Sequence, residues 1–194
     1  MAPARPKTLI QRVDFPVYDL DFTVDDDLVA VGGGGANRSG VKNKVRVLRY
    51  SRSGRYMVSG FTDGKVTLLN YPDLTPVFPP IRFNDIQDAD FDFEEKHVAV
   101  ATPKAIIILS LEDGAIEQVL NSPNLNRNTA CEFRACRYWR ARGESQMLYA
   151  VVNPISRGRG FICMWKLRPG RQIPTRATMA ASVSRKAITS FCVR

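Results

Sequence analysis

One short pattern returns along this chain, and it constrains the fold more than any other feature. Two variable residues and an aromatic recur as Leu20-Asp21-Phe22, Leu48-Arg49-Tyr50, Ala89-Asp90-Phe91, Cys136-Arg137-Tyr138 and Thr189-Ser190-Phe191. After each of the first four comes a polar turn and then an apolar strand-like run, at 28–31, 56–61, 97–101 and 147–152. Three of these runs are followed by a second one, at 66–71, 105–111 and 161–167. Between the paired runs stand Thr62-Asp63-Gly64, Pro103-Lys104 and the loop 154–160, which supply the backbone dihedrals of tight turns. Ala105-Ile106-Ile107-Ile108-Leu109 lacks period-two alternation, which predicts a strand apolar on both faces between stacked sheets.

One repeat thus reads as an aromatic strand, two buried strands and a polar edge segment. That is a four-stranded blade of a WD-repeat-like β-propeller, and the predicted fold class is all-β. Tyr50 to Phe91 is 41 residues, Phe91 to Tyr138 is 47 and Tyr138 to Phe191 is 53, against a usual period of about 40–45. A β-sandwich also uses short strands and frequent turns, but it does not require one strand order to recur at this spacing. The chain is read as one propeller domain or fragment over 1–194. Its first blade with a glycine loop is placed at 17–45, further blades at 46–83, 84–130 and 131–180, and the start of another at 181–194. Only 28 residues separate Phe22 from Tyr50, so 44–50 is asked to serve two blades. An irregular junction is expected there, as is an incomplete gene product with about four visible blades.

Composition narrows the class further. Apolar residues make up 44% of the chain, enough for a core. The aliphatic stretch 105–109 is far shorter than the roughly 20 residues that span a bilayer, and 1–16 has no apolar leader region. A cytosol-facing chain is expected. Cys131, Cys136, Cys163 and Cys192 are scattered without the close pairs of zinc sites, so they read as reduced structural thiols. His97 is the sole histidine, which leaves little room for Ser-His-Asp or Cys-His chemistry.

The segment richest in functional information follows the first buried run. Gly32, Gly33, Gly34 and Gly35 are consecutive, followed by Ala36, Asn37, Arg38, Ser39, Gly40, Val41, Lys42 and Asn43. Four glycines in a row cost conformational entropy, and they suit a backbone that adopts positive φ, approaches a partner closely or aims carbonyls at a cation. The dinucleotide pattern fails because Asn37 or Arg38 stands where its third glycine belongs. A Walker A loop fails because Val41 follows Gly40. On the residues alone, a flexible hairpin connection is the leading reading.

Residues 28–35, with Gly40-Val41-Lys42-Asn43 close behind, resemble the loop of the Sec-twelve (prolactin regulatory element-binding) family. That resemblance implies a seven-bladed propeller acting as a guanine nucleotide exchange factor for a Sar-type small GTPase, which starts COPII coat assembly. Residues 50–74, 88–114 and 133–167 read like successive blades of it. The resemblance further implies that Gly32 through Asn43 form the partner-binding loop and that Asn43 is the side chain acting in exchange. It implies a potassium ion held by backbone carbonyls of Gly34, Gly35 and Asn37; neutral carbonyls suit a monovalent cation. Residence on the cytosolic face of the endoplasmic reticulum membrane and contact with COPII coat components follow from the same resemblance. Exchange makes and breaks no covalent bond, so no acid-base pair is required.

Net charge is +9, and residues 134–194 hold thirteen Lys or Arg against the single acid Glu144. A solvated basic face, an anionic membrane surface, an acidic protein partner and nucleic acid all suit such a stretch. Tyr138, Trp139, Phe161 and Trp165 lie among the basic residues as candidate base-stacking groups, although two of them fall in a predicted buried strand. Nucleic acid is the least favoured partner. The acids Asp85, Asp88, Asp90, Asp92, Glu94 and Glu95 alternate with apolar residues and read as an edge strand with solvated carboxylates. A propeller scaffold without exchange activity is the rival function.

Overall fold

The computed structural model describes residues 17–22, 28–32, 45–61, 63–123, 125, 130–139, 147–156, 158–167 and 178–182, with side chains of 17–20, 22, 28–32 and 178–182 excepted. All described elements are strands: β1 (Val17–Phe22), β2 (Leu28–Gly32), β3 (Val45–Tyr50), β4 (Tyr56–Phe61), β5 (Lys65–Asn70), β6 (Ile81–Arg82), β7 (Asp88–Phe91), β8 (His97–Ala101), β9 (Ala105–Ser110), β10 (Ile116–Asn121), β11 (Cys131–Tyr138), β12 (Met147–Pro154), β13 (Phe161–Lys166) and β14 (Thr178–Ser182). They form four antiparallel meanders, β1-β2, β3-β4-β5-β6, β7-β8-β9-β10 and β11-β12-β13-β14. This is the β-propeller arrangement, with the aromatic-ended strand first in each sheet. The expected hairpins are present, with Tyr56 opposite Asn70 and His97 opposite Ser110.

The run 44–50 does not serve two blades. Val45–Tyr50 belongs to one sheet as its first strand, and the sheet before it has two strands among the described residues. The boundaries placed after 45 and after 180 therefore cut through β3 and β14.

The non-alternating strands are explained by their neighbours. In β8, Ala99 and Ala101 join a core with Phe133, Tyr138, Leu148 and Trp165 of the following sheet. Val98 and Val100, on the other face, join Val47, Val58, Val66 and Leu68 of the preceding sheet. β9 divides the same way, Ile106 and Ile108 to one side and Ile107 and Leu109 to the other. A strand between two sheets needs apolar side chains on both faces, so the period-two signal vanishes. β10 lies at the sheet edge and recovers it, with Val119 37% exposed and Leu120 fully buried.

Charge organises the hub where the first strands meet. Asp88, Asp90 and Asp92, expected as solvated acids, are buried. The carboxylate of Asp88 lies between two guanidiniums, Arg49 Nη2 at 3.3 Å from the preceding sheet and Arg137 Nη1 at 2.5 Å from the following one. It also accepts the Cys136 N–H at 3.0 Å. Asp90 accepts the Tyr138 N–H at 2.9 Å, and Asp21 accepts the Tyr50 N–H at 2.9 Å. Thus an acid just before the aromatic of one blade ties down the backbone of the next. Burial raises the pKa of the Asp88 carboxyl, and Arg137, Arg49 and its backbone donors offset that only in part. Burial works against the charge of Arg137, but Asp88 and Asp90 outweigh it and hold the guanidinium firmly protonated. The sequence pattern misled because alternation reports which faces differ, and here the second face meets a neighbouring blade's cations instead of water.

At the opposite end of these strands, Glu95 accepts from the Ser53 N–H at 2.5 Å and from its hydroxyl at 2.6 Å, locking two adjacent turns. Asp92 anchors its own turn by accepting the N–H groups of Lys96 at 2.8 Å and His97 at 3.1 Å. The His97 ring then bridges Asp92 at 2.9 Å and Glu117 of β10 at 3.1 Å. The hydrogen bond to Asp92 raises the imidazole pKa against burial, with the charges of Asp92 and Glu117 adding to it.

Three outcomes are expected. Gly64 has φ of +80° and an added Cβ would meet the Phe83 carbonyl oxygen at 1.7 Å, so Gly64→Ala is expected to lower unfolding free energy by at least about 2 kcal/mol in denaturant titration. Asp88→Ala leaves two guanidiniums, 15% and 16% exposed, without their shared carboxylate, and is expected to cost about 3–5 kcal/mol by the same measurement. Because the folded pKa of His97 is raised, its contribution is complete below about pH 6.5 and is lost as pH climbs through the folded value. Melting temperature should fall across that window, and His97→Gln should remove that part of the dependence.

Candidate functional site

The glycine segment leaves the propeller at Gly32 and returns at Val45. Gly32 is the last residue of β2 and pairs with Val17, at the start of β1. Val45 is the start of β3 and pairs with Phe61. The first strands run side by side in one direction, since Arg46, Arg49 and Ser53 meet Asp85, Asp88 and Glu95 in that order. Both roots therefore lie at the end of the hub where the first strands begin. Gly33, Gly34, Gly35, Ala36, Asn37, Arg38, Ser39, Gly40, Val41, Lys42 and Asn43 lie outside the described residues, and so do the expected potassium ligands.

That end of the hub carries a repeated irregularity. Val17 pairs with Gly32 but Asp19 with Val31, so Tyr18 is an extra residue in β1. Arg46 is the extra residue in β3, between Val45 opposite Phe61 and Val47 opposite Gly60. Arg134 is the extra residue in β11, between Phe133 opposite Val152 and Ala135 opposite Val151. Gln87 occupies the matching place before β7, where its N–H reaches the carbonyl of Ala101, the partner of Asp88. A bulge bends its strand and re-aims the extra side chain. In all four blades this residue stands four places before the aromatic, a signal present in the sequence that the strand pattern alone did not single out.

The re-aimed side chains form a continuous polar rail across three blades. Arg46 donates to Asp85 at 2.5 Å and to Gln87 Oε1 at 3.4 Å. Gln87 Nε2 donates to Asp85 at 2.9 Å. Arg134 donates to the same Gln87 Oε1 at 3.3 Å and forms an ion pair with Glu132. Arg46, Asp85 and Arg134 are substantially exposed, with side chains at 38%, 54% and 39%.

Other sequence-based candidates are structural. Tyr138 and Trp165 are core residues, Phe161 packs on the same core, and the Trp139 ring lies 5.8 Å from that of Tyr149. These four aromatics therefore make no open stacking platform among the basic residues. Cys131, Cys136 and Cys163 are buried; Cys192 lies outside the described residues. Burial pushes the Cys136 thiol well up and Cys163 to about 11, so neither presents a thiolate at neutral pH. A crevice lined by Tyr50, Arg52, Phe91, Asp92 and Phe93 offers about 10 Å³, the room of one water. Among the described residues no cluster of three or more His, Cys, Asp or Glu side chains is placed to hold a metal. Among the same residues no helix is long and apolar enough to cross a membrane.

No protein-family profile matches the chain. A stretch of 46 residues is 41% identical to the guanine nucleotide-exchange factor SEC12 of Candida glabrata, covering 24% of this chain and 10% of that protein. The chain thus matches about a tenth of the length of that curated relative. Among solved structures, the β-propeller domain of Cps50 (Swd1) from Myceliophteria thermophila superposes with a TM-score of 0.56 at 15% identity, over 78% of this chain and 43% of that one. Hydrazine synthase from Kuenenia stuttgartiensis superposes with a TM-score of 0.61 at 12% identity, over 91% of this chain and 53% of that one. At these identities the likeness establishes the fold alone, and the fold is a β-propeller.

Proposed function

We propose that this chain belongs to a guanine nucleotide exchange factor for a Sar-type small GTPase, acting at the start of COPII assembly on the cytosolic face of the endoplasmic reticulum. The carrying observation is the 46-residue stretch 41% identical to a SEC12 exchange factor. The glycine segment supports it, because its roots at Gly32 and Val45 emerge together at one end of the propeller hub.

In this reading Gly32 through Asn43 form the loop that enters the GTPase nucleotide site. A glycine-rich backbone can approach the partner closely, and Asn43 supplies the side chain that contacts the nucleotide-free GTPase. Carbonyls of Gly34, Gly35 and Asn37 hold a potassium ion that shapes the loop. The loop favours the nucleotide-free state and so weakens the hold on GDP; no bond is formed or broken. A propeller scaffold without exchange activity is the alternative, and the fold itself is what favours it, since propellers present partner-binding surfaces without any loop chemistry.

Asn43→Ala in the full chain is expected to leave the circular dichroism spectrum and melting temperature unchanged while slowing GDP release from the Sar-type GTPase. Two desolvated hydrogen bonds made only as the nucleotide leaves are worth about 2–4 kcal/mol, or roughly thirty- to thousandfold in rate. Release should be faster in K⁺ than in Na⁺. Full activity of Asn43→Ala with no cation preference would return the segment to a plain hairpin connection.

A further inference from the structure

We propose that the bulged end of the hub, with Arg46 and Arg134 at its centre, is a second docking surface that takes an acidic side chain of the partner protein. The inference rests on the exchange-factor reading and adds to it where the GTPase is held outside the glycine segment.

Two guanidiniums arrive from blades on either side and converge on one neutral oxygen, Gln87 Oε1, at 3.4 and 3.3 Å. Both distances are long for hydrogen bonds, and an amide oxygen is a weak acceptor for two cations. A carboxylate offers two charged oxygens and accepts arginine donors in a matched geometry, with roughly twice the strength of a neutral acceptor. Each guanidinium carries five donors, more than its contacts with the rail use. Asp85 pairs with Arg46, and Glu132 with Arg134, so the planar groups are held before a partner arrives. Holding them beforehand lowers the entropy lost on docking.

The charge pattern selects the occupant. Two cations that meet at Gln87 Oε1 accept a single carboxylate there, whereas the successive phosphates of a nucleic-acid strand would also meet Asp85, 54% exposed, and Glu132. The position selects the partner. Arg46 follows closely on Asn43 in the chain and lies next to Val45, the returning root of the glycine segment. A protein engaged by that segment is therefore brought over the rail.

The test measures GDP release from the Sar-type GTPase against concentration of the full chain. Arg46→Ala with Arg134→Ala is expected to raise the half-saturating concentration about tenfold or more while leaving the maximal rate unchanged, and to flatten its salt dependence. Gln87→Glu places a carboxylate of the chain's own between the two arginines and is expected to raise the half-saturating concentration too, at an unchanged melting temperature. It decides the matter if the double variant fails to fold. Arg82→Ala, which removes an exposed arginine on the outer strand β6, is expected to change nothing. An unchanged half-saturating concentration in both rail variants, with the native chain active, overturns the docking surface alone. A native chain that does not accelerate release overturns the exchange reading and this surface together. Loss of single-stranded RNA binding in the double variant, with GTPase docking intact, overturns it in favour of nucleic acid.

Discussion

Asp88 sits at the meeting point of three blades, and its carboxylate is shared by Arg49 and Arg137. Desolvating such a group is costly, so burial is tolerated because two guanidiniums and the Cys136 N–H arrive together from neighbouring blades. Without the Asp88 blade both guanidiniums would lose their shared carboxylate. The hub therefore specifies that the blades pack in this order and register, beyond what apolar burial alone specifies. Asp21 and Asp90 add to this tie, each accepting the backbone N–H of the next blade's aromatic.

The apolar layers fill in around that frame. Each inner sheet contributes alternate residues of one strand to two different cores, so β8 and β9 are apolar on both faces while β10 is not. With the centre of the propeller tied by charge and its blades glued by apolar contacts, the ends of the first strands are left to vary. Bulges at Tyr18, Arg46 and Arg134 occupy one of those ends, the end from which the glycine segment departs. The hub thus sets the two roots of the glycine segment, Gly32 and Val45, beside a fixed polar charge pattern. At the other end, tight turns are held by Glu95 and Asp92.

Much of the architecture was legible in the sequence. The recurring aromatic, the turn residues and the aliphatic runs gave the strand order and the hairpins, because those depend on local spacing and on turn chemistry. The glycine segment was legible as unusual for the same reason: four glycines need a backbone explanation wherever they fall. The role of the acids was not. Asp88, Asp90 and Asp92 alternate with Ala89, Phe91 and Phe93, and alternation cannot tell a solvated face from one that meets a neighbouring blade's arginines.

By itself, then, the sequence determined that this chain is all-β, that its strands come in meanders of one repeated order, and that the stretch after Gly32 is special. Only the tertiary structure decided that Arg46 and Arg134, which lie far apart in the chain, share the side-chain oxygen of Gln87, and that one acid of an alternating run, Asp88, is shared by arginines of the two neighbouring sheets. The reason is that strand identity is set by neighbours along the chain. Charge pairing across blades is set by the packing of successive sheets, which brings residues some 40–50 positions apart within hydrogen-bond reach, and no local pattern records that distance.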